Sequence, residues 1–262
     1  MKKSTIALAI ISGLTAVPAF AADADWTVTG NVNVLTDYRF RGISQTGRGP
    51  ALQGGFDAGH KSGFYVGNWN SNVSGTQYPG GHGIEMDFYA GYKGEYKGVG
   101  YDIGNLYYYY GDARFGNTKV DNNEVYGALS YGPVSAKVSY ATTDYFGLNG
   151  DTAVLDENGA AFGSGNSRGT TYSELNFSKE IMPKLTLAAH VGYTDIKNYK
   201  DFSYTDYKLG LSYDLNGYVL GAAYVGNDVK ARAKGPFFTS ATATGPKELY
   251  TDTIVLSIGK TF

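Results

Sequence analysis

Cysteine is absent from the chain, so neither a disulfide framework nor a thiolate zinc site holds this fold. The three histidines, His60, His82 and His190, do not fall at zinc-ligand spacing. A helical membrane span needs roughly 20 unbroken apolar residues, and no such run exists beyond residue 17. Charge of one sign is also lacking: 22 basic residues stand against 24 acidic ones, a balance that argues against nucleic acid as a partner. The glycine-rich stretch from Phe146 to Gly169 lacks the lysine and following helix of a phosphate-binding loop. No cofactor is expected.

At the amino end, Lys2 and Lys3 precede an apolar run from Ile6 to Val17, and Ala19 and Ala21 supply the small residues of a cleavage site. Residues 1–21 therefore read as a secretory signal peptide, and residues 22–262 as one domain, because strand patterning continues without a linker or an amphipathic helix. The 24 tyrosines, 13 phenylalanines and 37 glycines suit a protein that sets amphipathic rings at two lipid–water interfaces.

Period-2 alternation predicts twelve strands, at about 26–38, 51–60, 63–73, 84–96, 100–110, 123–131, 134–145, 170–179, 185–195, 203–215, 218–228 and 250–262. Their connections alternate between long and tight, as they do in transmembrane barrels with short periplasmic turns and long outer loops. One face of each strand is apolar. Trp26, Val28, Val32, Val34 and Tyr38 face lipid on the first, Ile84, Met86, Phe88, Ala90 and Tyr92 on the fourth, and Tyr207, Leu209, Leu211 and Tyr213 on the tenth. Strands three and five are ambiguous in phase, and on the fifth Asp102 decides that Tyr101, Ile103, Tyr107 and Tyr109 face lipid. The last strand ends on Phe262 and closes the sheet. The expected fold is an all-β, antiparallel, up-and-down transmembrane barrel.

The segments Asp37 to Gln45, Pro50 to Asp57 and Gly63 to Val73, with the acidic strand Ile84 to Tyr92, the tyrosine-rich Tyr101 to Tyr110 and the terminal Lys260-Thr261-Phe262, resemble the TorF family of proteobacterial outer-membrane porins. The resemblance implies an outer-membrane barrel and a channel. It brings no substrate and no catalytic residues.

The residues expected to line the pore are Asp37, Arg39, Arg41, Glu85, Asp87, Lys137, Glu174, His190, Asp206 and Lys208, with Glu124 also on the inner face. Arg39 and Arg41 leave the first strand at the level of the acidic residues. Either they pair across the mouth and set a transverse field, or they brace the first loop. Hairpin arithmetic sets Glu174, His190 and Lys208 side by side, as a hydrogen-bonded lumen network rather than a catalytic site. A basic outer rim is expected where the first and last loops meet, from Arg48, Lys230, Arg232, Lys234 and Lys247. It faces the acidic Asp151, Asp156 and Glu157 of a glycine-rich loop. That loop either folds inward to narrow the pore or, the reading its glycine and serine content favours, is a mobile surface loop.

The function expected is passive diffusion of small hydrophilic solutes across a Gram-negative outer membrane, without enzymatic activity. The alternative is a closed structural or adhesive barrel. Expected partners are outer-membrane lipid, lipopolysaccharide, the permeating solutes, and the barrel-assembly machinery acting through the carboxy-terminal strand.

Overall fold

A computed structural model describes residues 25–152, 163–229, 238–242 and 245–262. The proposed signal peptide lies outside them. Twelve long strands form one closed antiparallel barrel: β1 (Trp26–Leu35), β2 (Ala51–His60), β3 (Phe64–Asn72), β4 (Ile84–Tyr96), β5 (Val99–Tyr109), β6 (Asn122–Tyr131), β7 (Val134–Ala141), β8 (Thr171–Met182), β9 (Leu185–Asp195), β10 (Tyr204–Leu215), β11 (Tyr218–Asn227) and β12 (Thr253–Thr261). Each strand pairs with its neighbours in sequence, and β12 pairs with β1 from Asn31 opposite Thr261 to Leu35 opposite Ser257. Phe262 extends the seam, exchanging two backbone hydrogen bonds with Gly30 at 2.7 and 2.9 Å. Closure leaves no open sheet edge, as a lipid solvent requires.

The tight turns share one end. At 97–98 and 216–217 both turn residues have positive φ, with Asn216 at 55° and Gly217 at 87°. That geometry matches the twist of paired strands, and Asn-Gly adopts it at little steric cost. All the long loops emerge at the other end.

Alternation sorts the side chains as expected. Val28, Ile103, Leu209 and Leu256 point outward and are 53–60% exposed, while Glu85, Asp102, Glu124 and Asp206 on the same sheet are 0–4% exposed. An apolar surface continuous around the barrel far exceeds the few hundred Å² that a soluble monomer shows; it is a surface made for lipid. Asp102 points inward, as the phase chosen for β5 requires. On β3 it is Tyr65, Trp69 and Ser71 that face inward.

Three departures from the sequence reading concern strand ends and loops. Tyr38, expected against lipid, is 4% exposed. β1 stops at Leu35, because the Asp37 carboxylate gathers Arg39 Nε, Ser44 Oγ and Thr46 Oγ1 at 2.6, 2.6 and 3.2 Å. That turns the chain into the barrel. β7 ends at Ala141 rather than 145 and is followed by a 3-10 turn at Tyr145–Gly147, in which Phe146 has φ 48°. Finally, three small hairpins sit in the outer loops, pairing Arg39–Phe40 with Ile43–Ser44, Arg114–Phe115 with Thr118–Lys119, and Thr239–Thr242 with Gly245–Glu248.

Candidate functional site

The first of these hairpins is the key to the lumen. Its tip, Arg41-Gly42, has φ values of 47° and 78° and reaches from the end of β1 across the barrel. Arg41 Nη2 donates to Glu124 Oε2 of β6 at 2.7 Å and Nη1 to the Tyr145 hydroxyl at 3.0 Å. The guanidinium carbon lies 4.0 Å from the Tyr172 ring centroid, 4.8 Å from that of Phe40 and 5.7 Å from that of Tyr145. A planar, delocalised cation between a carboxylate and aromatic faces is a good use of arginine, which sheds water more readily than lysine. Burial pushes the Tyr145 phenol upward, so it meets the guanidinium as a neutral hydroxyl. Gly42 cannot be replaced without movement: a Cβ there would lie 2.9 Å from the Asp206 Cβ and 3.1 Å from the Gly226 carbonyl oxygen.

Around the tip the outer half of the lumen is packed. Phe146 makes edge contacts with Phe40, Tyr108, Tyr110 and Tyr145, centroids 4.7–6.0 Å apart. Tyr78 stacks on Tyr110 at 4.4 Å. Above these rings an apolar cavity of about 50 Å³ is lined by Ile43, Phe115, Leu148, Ile196, Phe202, Tyr204 and Phe238, with Gln45 and Gln77 as its polar members. The loop after β7 therefore begins by folding inward, contrary to its reading as a mobile surface loop; residues 153–162 lie outside the description.

The two arginines divide the roles that the sequence left open. Arg39 braces the first loop, since Nε holds Asp37 at 2.6 Å and Nη1 donates to the carbonyls of Gly42, Leu249 and Thr251 at 3.2, 3.1 and 2.9 Å. Arg41 crosses the mouth. Glu85 accepts from the hydroxyls of Tyr110 at 2.9 Å and Tyr38 at 3.3 Å. Its Oε2, like Asp87 Oδ1, is buried without a hydrogen-bond partner among the described residues.

Below the tip lies a polar network. Asp206 Oδ1 and the Tyr172 hydroxyl both meet His190 Nε2 at 2.9 Å, and Asn176 Oδ1 meets His190 Nδ1 at 2.7 Å. In register His190 faces Asn176, and Glu174 faces Gly192. Glu174 thus reaches His190 diagonally at 3.5 Å rather than from directly beside it, because β8 runs on to Met182 and the ladder shifts register between Glu180 and Met182. Lys137 faces Glu174 across β7 and β8, with Nζ 4.0 Å from its carboxylate and 4.4 Å from the Tyr126 ring. Lys208 faces His190 across β9 and β10, forms no ion pair among the described residues, and is exposed. So are the inward-pointing Lys93, Glu95, Ser178, Glu180 and Asp214 nearer the tight turns. The sequence reading missed Tyr65, whose hydroxyl donates to Asp102 at 2.6 Å and contacts that of Tyr126; the phase of β3 was the missing signal.

At the rim, Arg48 is exposed and Lys247 Nζ donates to the Gly47 carbonyl at 2.8 Å, so the first and last loops do meet. Lys230, Arg232 and Lys234 lie outside the described residues, as do Asp156 and Glu157. An acidic residue lies just before β12, against the outer ends of β10 and β11. Asp252 accepts from the hydroxyls of Tyr224 at 2.5 Å and Tyr207 at 3.0 Å, and these bonds, that from Tyr224 foremost, hold its carboxyl below the usual range.

The family model for a bacterial protein of unknown function, Gcw_chp, matches residues 19–262. The chain belongs to the Gcw_chp family. Among solved structures, the NanC porin is similar to this Gcw_chp barrel at a TM-score of 0.53, with 12% identity over 88% of this chain and 98% of that one. The KdgM porin in complex with disordered oligogalacturonate gives 0.48, with 7% identity over 90% of this chain and 97% of that one. Outer membrane phospholipase A from Escherichia coli gives 0.44, with 11% identity over 95% and 98%. The NanC match carries the fold comparison, a porin-like twelve-stranded barrel. No curated protein matches the sequence.

Proposed function

We propose that this Gcw_chp protein is an outer-membrane channel through which small hydrophilic solutes diffuse, its outer mouth closed at rest by its own first loop. One observation carries the reading: a barrel with an apolar outer face holds, in the half near its tight turns, an inner wall of exposed and oppositely charged side chains, Lys93, Glu95, Glu180 and Asp214 among them. Charges cost several kcal/mol to bury without partners, so a wall that carries them exposed faces water. Such groups replace part of a solute's hydration and bias which solutes enter. The TorF likeness and the signal-like amino end support the same location and role. Activity as an enzyme is not part of the reading: the ring nitrogens of His190 meet Tyr172, Asn176, Asp206 and Glu174, which fix the ring and supply no activated serine.

The packed outer half favours one rival, a permanently closed structural or adhesive barrel. Single-channel recording separates the two. Refolded protein, shown to be folded by heat-modifiable migration, gives discrete conductance steps in a planar bilayer if it is a channel with a displaceable first loop. Silence from the wild type and from a variant lacking residues 40–43 leaves the closed barrel.

A further inference from the structure

We propose that the seat occupied by Arg41 is a recognition site for organic cations of the guanidinium class, with the first loop as its built-in occupant and a permeating cation as its competitor. The inference rests on the channel reading and adds the class of solute that the outer mouth admits.

The seat outlasts the departure of its occupant. Glu124 comes from β6, Tyr172 from β8 and Tyr145 from the loop after β7; of the groups around the guanidinium, only Phe40 leaves with the hairpin. What remains is a carboxylate at 2.7 Å, a hydroxyl at 3.0 Å and an aromatic face at 4.0 Å. These match the fork edge and the flat face of a guanidinium.

Charge points the same way. The outer wall around the seat holds Glu85, Asp87, Glu124 and Asp206, all buried, and Asp87 lies within electrostatic reach of both Glu85 and Glu124. The other cations nearby are engaged elsewhere, Arg39 with Asp37 and Lys137, approaching from β7, with Glu174, while Asp206 is taken up by His190 and Tyr172. Withdrawing Arg41 alone leaves the buried Glu124 carboxylate with only the Tyr108 hydroxyl at 3.4 Å, the Asn122 amide at 3.3 Å and the more distant Lys137. A buried carboxylate that loses its contacting cation is unfavourable. Exchanging it for another guanidinium strands nothing. An anion or a neutral solute gains no such compensation, so the stopper yields selectively to a cation. The hairpin is suited to exchange, for its base is fastened by Arg39 to the carbonyls of Leu249 and Thr251 at 3.1 and 2.9 Å. Beyond the contacts of Arg41 and Phe40, the tip is held by two longer bonds to the Gly42 carbonyl, from Arg39 and Asn227, each 3.2 Å, so residues 40–42 are the part that moves.

The test uses the full mature chain refolded into planar bilayers. Arg41→Ala is expected to raise mean conductance about tenfold by shifting the stopper toward its open state. Methylguanidinium added on the loop side at roughly 10 mM, on the order of a short tether's effective concentration, should then block the opened pore saturably, and methyl sulfate should not. In Arg41→Ala/Glu124→Gln the block should vanish. In the wild type methylguanidinium should replace long closures by brief, flickering block, because it takes the seat that Arg41 leaves. An open Arg41→Ala pore that ignores methylguanidinium overturns the cation site and leaves the channel standing. Equal conductance steps in wild type and Arg41→Ala overturn the stopper. Silence from all of them, folded by heat-modifiable migration, overturns the channel reading itself.

Discussion

Outward of Tyr172 the lumen is dry and crowded, with Phe40, Tyr108, Tyr110, Tyr145 and Phe146 interlocked around one buried ion pair. Inward of it the same strands carry Lys93, Glu95, Glu180 and Lys208 in contact with solvent. The wall is of one kind throughout, an alternating sheet; what differs is whether a loop has folded in to cover it. On the channel reading, resistance is concentrated in the outer half, where the first loop crosses the lumen and the loops bearing Tyr78, Phe146 and Phe238 pack with it, rather than spread along the barrel. The largest expected effect follows. In Gly42→Val the added side chain meets Asp206 and Gly226 at a positive φ that valine rarely adopts, so the tip leaves its seat. Conductance should rise about tenfold with heat-modifiable migration unchanged. A Gly42→Val barrel as quiet as the wild type would mean that the outer half is closed by something other than this hairpin.

Phe146→Ala should separate the two halves in a different way. Truncating a phenylalanine in a packed core costs about 3 to 5 kcal/mol, but Phe146 belongs to the outer plug and not to the strand ladder. The expected outcome is local loosening: faster amide exchange at Tyr78, Tyr110 and Tyr145, while the β1–β12 seam keeps its protection. Equal loosening at the seam would show plug and wall to be one cooperative unit.

The wall was legible in the sequence and the plug was not, for a physical reason. Lipid outside and polar groups inside force a strict period of two, and Val28, Asp102 and Leu209 each announce their face by type alone. The pairing of His190 with Lys208 came out right across the 196–203 loop. Glu174 fell one step away across the 183–184 turn, where the ladder shifts register between Glu180 and Met182 and period-2 alternation carries no sign of it. In the loops no period constrains the chain. Phe40, Ile43, Tyr145, Phe146 and Leu148 carry a weaker signal, that large apolar residues in a loop need something to cover them. Applied to the glycine-rich segment, it would have argued against a surface loop. Nothing in the sequence distinguishes Arg39 from Arg41; which one braces and which one crosses depends on a turn at Gly42 that only the fold reveals.

Lys208 sharpens the wet side. Because it is exposed and pairs with no carboxylate among the described residues, Lys208→Glu should change selectivity without changing closure. In the opened Gly42→Val background the cation-to-anion permeability ratio should rise about threefold, since the reversed charge joins Glu174 and Asp206, both within electrostatic reach of position 208, on one side of the lumen. Reversal potential in a salt gradient reads it. A change in open probability instead would place Lys208 in the stopper's own balance.

The smallest effect gives the most direct comparison of the halves, because it asks the same chemical question twice. Tyr65→Phe removes a hydroxyl that donates to Asp102 at 2.6 Å in the inner half. Tyr110→Phe removes one that donates to Glu85 at 2.9 Å in the outer half. Both acceptors are buried, but Asp102 faces the exposed Lys93 across β4 and β5, so water or the ammonium can take the place of the lost hydroxyl at about 1 kcal/mol or less. Glu85, left with Tyr38 at 3.3 Å and no exposed neighbour on its ladder, bears the cost of an under-satisfied buried acceptor, about 1 to 3 kcal/mol. The urea midpoint of the refolded barrel should therefore fall further for Tyr110→Phe than for Tyr65→Phe. If Tyr65→Phe is the costlier of the two, water does not fill the inner half and the aqueous path is lost with it. Equal, large losses would mean a lumen dry from end to end, which only a closed barrel requires.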